Sequence, residues 1–244
     1  MMGGYYKGKA KMQVKSHGFN LIEMTIVLVL IALVSAGVIT ATHLVHNAEL
    51  KNVVVELQTY QSAIETFKEK YRLYPGDYDQ ASSYWSGVSD GDADWIIETD
   101  LGERIYAWQH LEKAQLITGT YTGSDAGTPD FAIHVNVPGS TIKKGHYFVG
   151  TNASGSEIFD RIGTFLQFAS NSSDTDPYGP ILELKDAYNI DAKLDDGVAN
   201  TGDMFAVDGE GVTDGDCSDD GDDSGADFDL SKSGTNCRLV WWLY

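Results

Sequence analysis

One long uncharged stretch near the N-terminus limits what this chain can fold into. From Met24 to Thr42 no side chain carries a charge, which gives an apolar run of 19 residues. A helix needs about 20 such residues to cross the hydrocarbon core of a bilayer. Glu23 lies directly before the run, and a lone carboxylate in a membrane is unfavourable unless it finds a partner. The simplest interpretation is an N-terminal membrane anchor.

Charge is distributed unevenly on the two sides of this run. Four lysines and no acidic residue precede Gly18, whereas the whole chain has 17 Lys and Arg against 36 Asp and Glu. Basic residues before an apolar run predict a cytoplasmic N-terminus and an exported remainder. The formal net charge of -19 argues against nucleic acid or anionic lipid as a partner of the soluble part. It favours a surface outside the cell or a cation ligand.

A longer string around the run adds a processing signal. Gly18 is followed by Phe19, by Glu23 after three further residues, and then by the apolar run. This string resembles the prepilin signature of type IV pilins and type II secretion pseudopilins. The resemblance implies that a prepilin peptidase cuts between Gly18 and Phe19 and methylates the new N-terminus. Because the cut precedes the apolar run, the helix is retained, unlike the apolar region of a conventional secretory signal.

The leader that this resemblance implies is residues 1–18. A start at Met12 instead would leave a leader of seven residues, closer to the short leaders of many type IVa pilins. Both starts remain open from the sequence.

The helix is predicted to continue beyond the apolar run. Apolar side chains recur at steps of three and four from Leu44 to Tyr71, and Pro75-Gly76 ends the pattern. The resemblance implies a pilin spine in two halves. Residues 19–42 would cross the membrane or form the filament core, and residues 43–74 would lie on a globular head formed by 75–244.

The head is predicted to be α+β, with an antiparallel sheet that packs as a meander on the second half of the helix. Periodicity and turn residues predict these elements: helices at 81–85, 100–115 and 181–194, and strands at 131–137, 147–151, 162–168, 204–207 and 238–244. Trp85, Trp95 and Trp108 are expected in the core. The segments KYRLYPGDYDQASSYW and AYNIDAKLDDG resemble phrases of pilin-like proteins, which implies a pilin-like fold with a connecting αβ loop.

The chain has two cysteines, Cys217 and Cys237. In an exported protein they predict one disulfide, and two unrelated buried thiols are the alternative. The pair also resembles the disulfide that closes the C-terminal region of many type IV pilins.

An acidic tract at 214–229 is a candidate for Ca²⁺, the one cofactor that the sequence suggests. Oxygen-bearing side chains fall at the spacing of a calcium loop: Asp216, Ser218, Asp220, Asp222 and Asp227. The last position is aspartate instead of the usual glutamate, and flanking helices are not evident. A solvated acidic loop is the alternative. Asp191, Asp195 and Asp196 form a second, weaker oxygen cluster.

The sequence contains no HExxH, CxxC or phosphate-loop motif, so we expect no enzyme. The resemblance implies a structural subunit of a type IV pilus or pilus-like filament that serves adhesion, motility, DNA uptake or secretion. Its assembly would depend on Phe19 and Glu23. Two alternatives remain: a type II secretion pseudopilin, and a membrane-anchored periplasmic binding module that shares only the N-terminal signature.

The implied partners are other copies or related pilins, the prepilin peptidase and the inner-membrane assembly machinery, with no direct indication of nucleic acid. The implied location is the bacterial inner membrane before assembly, and an extracellular or periplasmic filament afterwards.

Overall fold

The computed structural model describes residues 18, 20–98, 101–124, 131–153, 161–172, 177–213, 215–218 and 227–244, without the side chain of Leu101. The chain divides into two units, Met1–His46 and Asn47–Tyr244. A single helix, α1, runs from Leu21 to Tyr71 and belongs to both units. The prediction of one long N-terminal helix is therefore confirmed. Phe19 and most of the predicted leader lie outside the described residues.

In the second unit, one face of α1 is buried in the core. Its buried residues there are spaced mostly by three, four or seven: Leu50, Val53, Leu57, Ala63, Ile64 and Phe67. Burying one such large side chain contributes about 1.5–3 kcal/mol. On the same face the ring of Tyr60 lies 5.2 Å from Trp108 and 4.9 Å from Tyr147. This part of α1 therefore belongs to the core of the second unit.

The remaining elements of the second unit follow in chain order. They are α2 Ala81–Tyr84, α3 Leu101–Lys113, β1 His146–Asn152, β2 Gly163–Ala169, β3 Leu182–Glu183, α4 Leu184–Leu194, β4 Met204–Asp208 and β5 Thr235–Leu243. Seven of the eight predicted segments have a counterpart here. The predicted helix at 181–194 differs at its start, because two of its residues form β3 and α4 begins at Leu184.

The five strands form one antiparallel sheet whose centre is the last strand. β1 pairs with β2, β2 pairs with β5, and β5 also pairs with β3 and β4. Consecutive strands are thus antiparallel neighbours at β1–β2 and at β4–β5, whereas β2 pairs with the distant β5, so the predicted meander is correct only in part. Every residue of β5 from Cys237 to Leu243 is buried. A strand that is buried on both faces is favoured at the centre of a sheet, which explains why β5 inserts there.

The predicted strand at 131–137 is wrong. The carbonyl of Ala132 accepts the backbone N–H groups of Val135 and Asn136 at 3.1 and 2.8 Å, and His134 has φ 63°. The backbone groups are thus satisfied in a local turn. The strand-like composition serves packing instead, since Phe131 and Val137 are both buried.

Trp95 was expected in the core, but it is 56% exposed. Its φ of 73° and the bond from its backbone N–H to Asp77 turn the chain at this point. Trp108 is fully buried as expected, and Trp85 is partly buried against the core.

Candidate functional site

The first unit presents an exposed apolar surface. Every described residue from 20 to 46 is exposed, including Leu21 at 80% and Leu33 at 65%. Within the described residues, α1 is the helix that is long and apolar enough to cross a membrane. An apolar surface of this size needs lipid or another protein surface to cover it.

The threonines of this surface are compatible with an apolar environment. The hydroxyls of Thr25, Thr40 and Thr42 donate to the carbonyls of Ile22, Ala36 and Ile39 at 2.8, 3.1 and 2.8 Å. Each hydroxyl is therefore satisfied inside the helix. Between Leu21 and Thr42, Glu23 is the one residue of α1 with an acidic or basic side chain.

Glu23 lies in the first turn of α1. A negative charge is favoured there, because the unpaired backbone N–H groups give the N-terminus of a helix a partial positive charge. Asn20, which precedes α1, caps its N-terminus, since Asn20 Oδ1 accepts the N–H of Ile22 at 3.4 Å. Gly18 is exposed, and a Cβ placed on it would meet no described atom within 4 Å. Packing within the described chain therefore does not require glycine at this position.

The predicted disulfide between Cys217 and Cys237 is present, with 5.2 Å between the two Cα atoms. Cys237 lies in the central strand β5, so the bond ties the loop before it to the middle of the sheet. Asp208 orients this loop: its carboxylate accepts the N–H groups of Gly215 and Cys217 at 2.7 and 2.6 Å.

Only part of the predicted calcium loop lies in the described residues. Asp216 forms an ion pair with Lys232 at 3.5 Å, and Ser218 is buried. Asp227 Oδ1 accepts the N–H of Phe228 at 2.7 Å. Asp220 and Asp222 lie outside the described residues. Calcium binding by this tract stays a prediction.

The weaker oxygen cluster is brought together at the end of α4. Three carboxylate oxygens lie within 4.8 Å of one another, one each from Asp191, Asp195 and Asp196. Asp191 is fully buried, whereas Asp196 is exposed. Burial is the main reason that the pKa of Asp191 rises to about 7, and the charges of the two neighbouring carboxylates raise it further. A hydrogen bond from Gly197 acts in the opposite direction.

A further carboxylate cluster lies between the turn after α1 and α3, and sequence reasoning missed it. Asp77, Asp92 and Glu103 place one oxygen each within 4.8 Å. Asp77 accepts the N–H groups of Asp94 and Trp95 at 3.0 and 3.1 Å. Burial raises the pKa of Asp77 to about 6, and these two hydrogen bonds lower it in part.

Glu103 completes this cluster from α3. It accepts the N–H groups of Asp92 and Glu98 at 3.2 and 3.4 Å. Burial, followed by the neighbouring carboxyl of Glu98, raises its pKa above the ordinary range. The buried carboxyls of Asp77 and Glu103 each accept backbone N–H groups of the loop between α2 and α3. These hydrogen bonds stabilise the loop, and a structural role therefore accounts for the cluster. The Pro-Gly-Asp turn was its only sequence signal.

These features define an α+β protein with an apolar, exposed N-terminal helix and a disulfide-linked antiparallel sheet. Comparison with known proteins adds no closer identification, because no family model, curated protein or solved structure matches this chain.

Proposed function

We propose that this chain is a structural subunit of a type IV pilus or pilus-like filament with a pilin-like fold. A prepilin peptidase would cut it between Gly18 and Phe19, and the subunit would assemble through the apolar half of α1. Its role would be mechanical and adhesive instead of catalytic. Before assembly it would lie in the inner membrane, and afterwards in an extracellular or periplasmic filament.

The observation that carries this proposal is the exposure of the apolar half of α1. All described residues from 20 to 46 are exposed, and the hydroxyls of Thr25, Thr40 and Thr42 are satisfied within the helix. Lipid can cover such a surface before assembly, and the same surface of neighbouring subunits can cover it in a filament. Acidic composition and the Cys217–Cys237 disulfide suit an exported head.

Glu23 gives the assembly a register that apolar packing alone does not supply. Cleavage before Phe19 would create a positive amine four residues from Glu23, and methylation would leave that charge in place. In an apolar bundle of helices either charge alone is costly to bury, and an ion pair between the carboxylate and the amine offsets part of that cost. Pairing of Glu23 in one subunit with the amine of the next would fix the axial position of the incoming subunit.

The test compares the wild type with three variants of the full chain, all expressed with a prepilin peptidase and the assembly machinery. The variant Glu23→Ala should be processed, folded and membrane-held but should reach sheared filaments at roughly one tenth of the wild-type yield or less. The variant Glu23→Asp should be intermediate. Glu69→Ala is the matched control, because Glu69 is an exposed glutamate of the same helix in the other unit. Normal filament yield from Glu23→Ala, or wild-type protein that stays in the membrane without forming filaments, would favour a plain anchor.

A further inference from the structure

The loop that follows α4 holds a buried carboxylate with an uncompensated oxygen. Asp191 lies in the last turn of α4 and is fully buried. Its Oδ1 accepts the N–H of Gly197 at 3.0 Å. Among the described residues, its Oδ2 has no hydrogen-bond partner. Leaving a buried polar atom without a partner costs free energy, and the cost is larger for a charged group.

The two other carboxylates of the cluster are held in fixed orientations by the loop itself. Asp195 Oδ2 accepts the N–H groups of Asp203 and Met204 at 2.6 and 2.8 Å. Gly202 has φ 71°, and a Cβ at this position would overlap the carboxylate of Asp195. The close approach therefore requires glycine there.

Asp196 is oriented from the opposite end of the same loop. Its Oδ1 accepts the N–H of Val198 at 2.9 Å, and its Oδ2 accepts the hydroxyl of Thr201. The three carboxylates are thus positioned before any ligand arrives, which lowers the ordering cost of binding.

The charge of this cluster is not balanced by an ion pair within the described residues. Three carboxylates with oxygens within 4.8 Å repel one another. In the part of the chain that the structure describes, none of them forms an ion pair with Lys or Arg. Either a proton or a bound cation would relieve the repulsion, and a cation held by the carboxylate of Asp191 would also compensate its buried charge.

We propose that Asp191, Asp195 and Asp196 bind one calcium ion. The ligands that the cluster offers are all oxygens, which suits a hard cation and disfavours zinc, whose usual ligands include nitrogen and sulfur. Calcium accepts six to eight oxygens in irregular geometry, with carboxylates in one- or two-oxygen contact and with waters. Magnesium demands a near-ideal octahedron of ligands, whereas calcium tolerates an irregular set of carboxylate and water oxygens. The ion would fix the connection between α4 and β4, whether or not the chain forms filaments.

The binding test uses the full chain in detergent micelles at neutral pH, stripped with EGTA and then titrated with calcium chloride. Calorimetry should detect one calcium site, and Asp191→Asn and Asp196→Asn should each weaken its affinity by at least about tenfold. Substitution of residues that only orient the ligands already lowers metal affinity by about this factor. Asp229→Asn is the matched control, because the Asp229 carboxylate accepts from the N–H and hydroxyl of Ser231 and does not belong to the cluster. It should leave this site intact. A second calcium site in the acidic tract would not respond to Asp191→Asn.

In thermal unfolding, the difference in stability between the wild type and Asp191→Asn should change sign between EGTA and calcium. With EGTA present, Asp191→Asn should be at least as stable as the wild type, because it removes an uncompensated buried charge. With calcium at about 100 times its Kd, the wild type should gain about 5 °C or more in Tm, and Asp191→Asn should lose most of that gain. If Asp191→Asn did not fold, it would show no unfolding transition in EGTA. The calcium-dependent gain in Tm would then be compared between the wild type and Asp196→Asn, whose substitution is at an exposed position.

Three results would overturn the proposal. The first is a wild type whose unfolding and titration are indifferent to millimolar calcium, which would mean that a proton relieves the repulsion. The second is calcium binding that persists in Asp191→Asn and Asp196→Asn but is lost in Asp216→Asn or Asp227→Asn. The third is equally tight saturation of the same site by magnesium chloride.

Discussion

Glu56 of α1 accepts a hydrogen bond from the hydroxyl of Tyr147 in β1, with 2.6 Å between Oη and Oε2. Ser140 donates its hydroxyl to the same oxygen at 2.7 Å. Burial, and then the nearby charge of Glu56, raises the pKa of Tyr147 well above its ordinary range, so its hydroxyl remains a donor. A polar contact therefore ties the buried part of α1 to the sheet, in addition to apolar packing.

Removal of this contact by Tyr147→Phe should lower the free energy of unfolding by about 1.5–3 kcal/mol, the usual range for a hydrogen bond to a charged group. Urea unfolding of the full chain in micelles would measure the change. Ser140→Ala is the control, because it removes the other donor to Glu56 and leaves the aromatic packing unchanged. If Tyr147→Phe cost as much in a Glu56→Ala background as in the wild type, the contact with Glu56 would not be the cause.

His110 joins two parts of the loop region that contains the buried carboxylates. Its Nδ1 accepts the backbone N–H of Gly76 at 3.0 Å, which places the hydrogen of the neutral ring on Nε2. Nε2 then donates to the carbonyl of Ser89 at 2.9 Å. Burial lowers the pKa of His110 to about 4. Protonation would remove the acceptor for Gly76 and place a charge in the core.

This arrangement predicts the sign of a pH effect. Between the ordinary value of 6.5 and the native value of about 4, the unfolded chain binds a proton at His110 that the native chain does not. Its contribution to stability is therefore full above pH 6.5 and is lost as the pH falls towards 4. The stability advantage of the wild type over His110→Asn should shrink by up to about 3 kcal/mol across this window.

Urea unfolding of both proteins at several pH values would measure this difference. His43→Asn, at an exposed position of the apolar unit, should not produce it. An advantage that stays constant from pH 7 to pH 4 would contradict the role of His110.

The disulfide should contribute strongly to the stability of the second unit. It closes a loop with a sequence separation of 20 residues, and loop entropy predicts a loss of about 3 kcal/mol when it is removed. The double variant Cys217→Ala and Cys237→Ala should therefore unfold at lower urea concentration. Wild-type protein with dithiothreitol should shift similarly, and dithiothreitol should not affect the double variant. A double variant as stable as the oxidised wild type would show that the loop is held by other contacts.

Processing should depend on Gly18. A bulky residue there, as in Gly18→Val, should block leader removal without a folding defect, because a Cβ at Gly18 meets no described atom. Intact mass and N-terminal sequencing of protein expressed with a prepilin peptidase would test this, with Phe19 as the expected first residue. Gly37→Ala is the control, since Gly37 is also exposed and without close neighbours. An N-terminus downstream of the apolar run would contradict the cleavage that we propose.

Features that depend on neighbouring residues were predictable from the sequence. The apolar run and the three-and-four spacing after it are local patterns, and they predicted α1 and its end before Pro75. Most of the head elements followed from the same kind of signal. The disulfide was predictable for a different reason: the chain has only two cysteines, so an exported protein offers only one intramolecular pairing.

Contacts between distant residues, in contrast, become visible only in the folded chain. Glu56 and Tyr147 are 91 positions apart, and no local pattern relates them. The central place of β5, the turn at 131–137 and the burial of Asp191 likewise depend on segments far away in the sequence. Burial changes the cost of an unpaired oxygen and the pKa of a carboxyl, so the chemistry of a site is set by packing that local propensity does not encode.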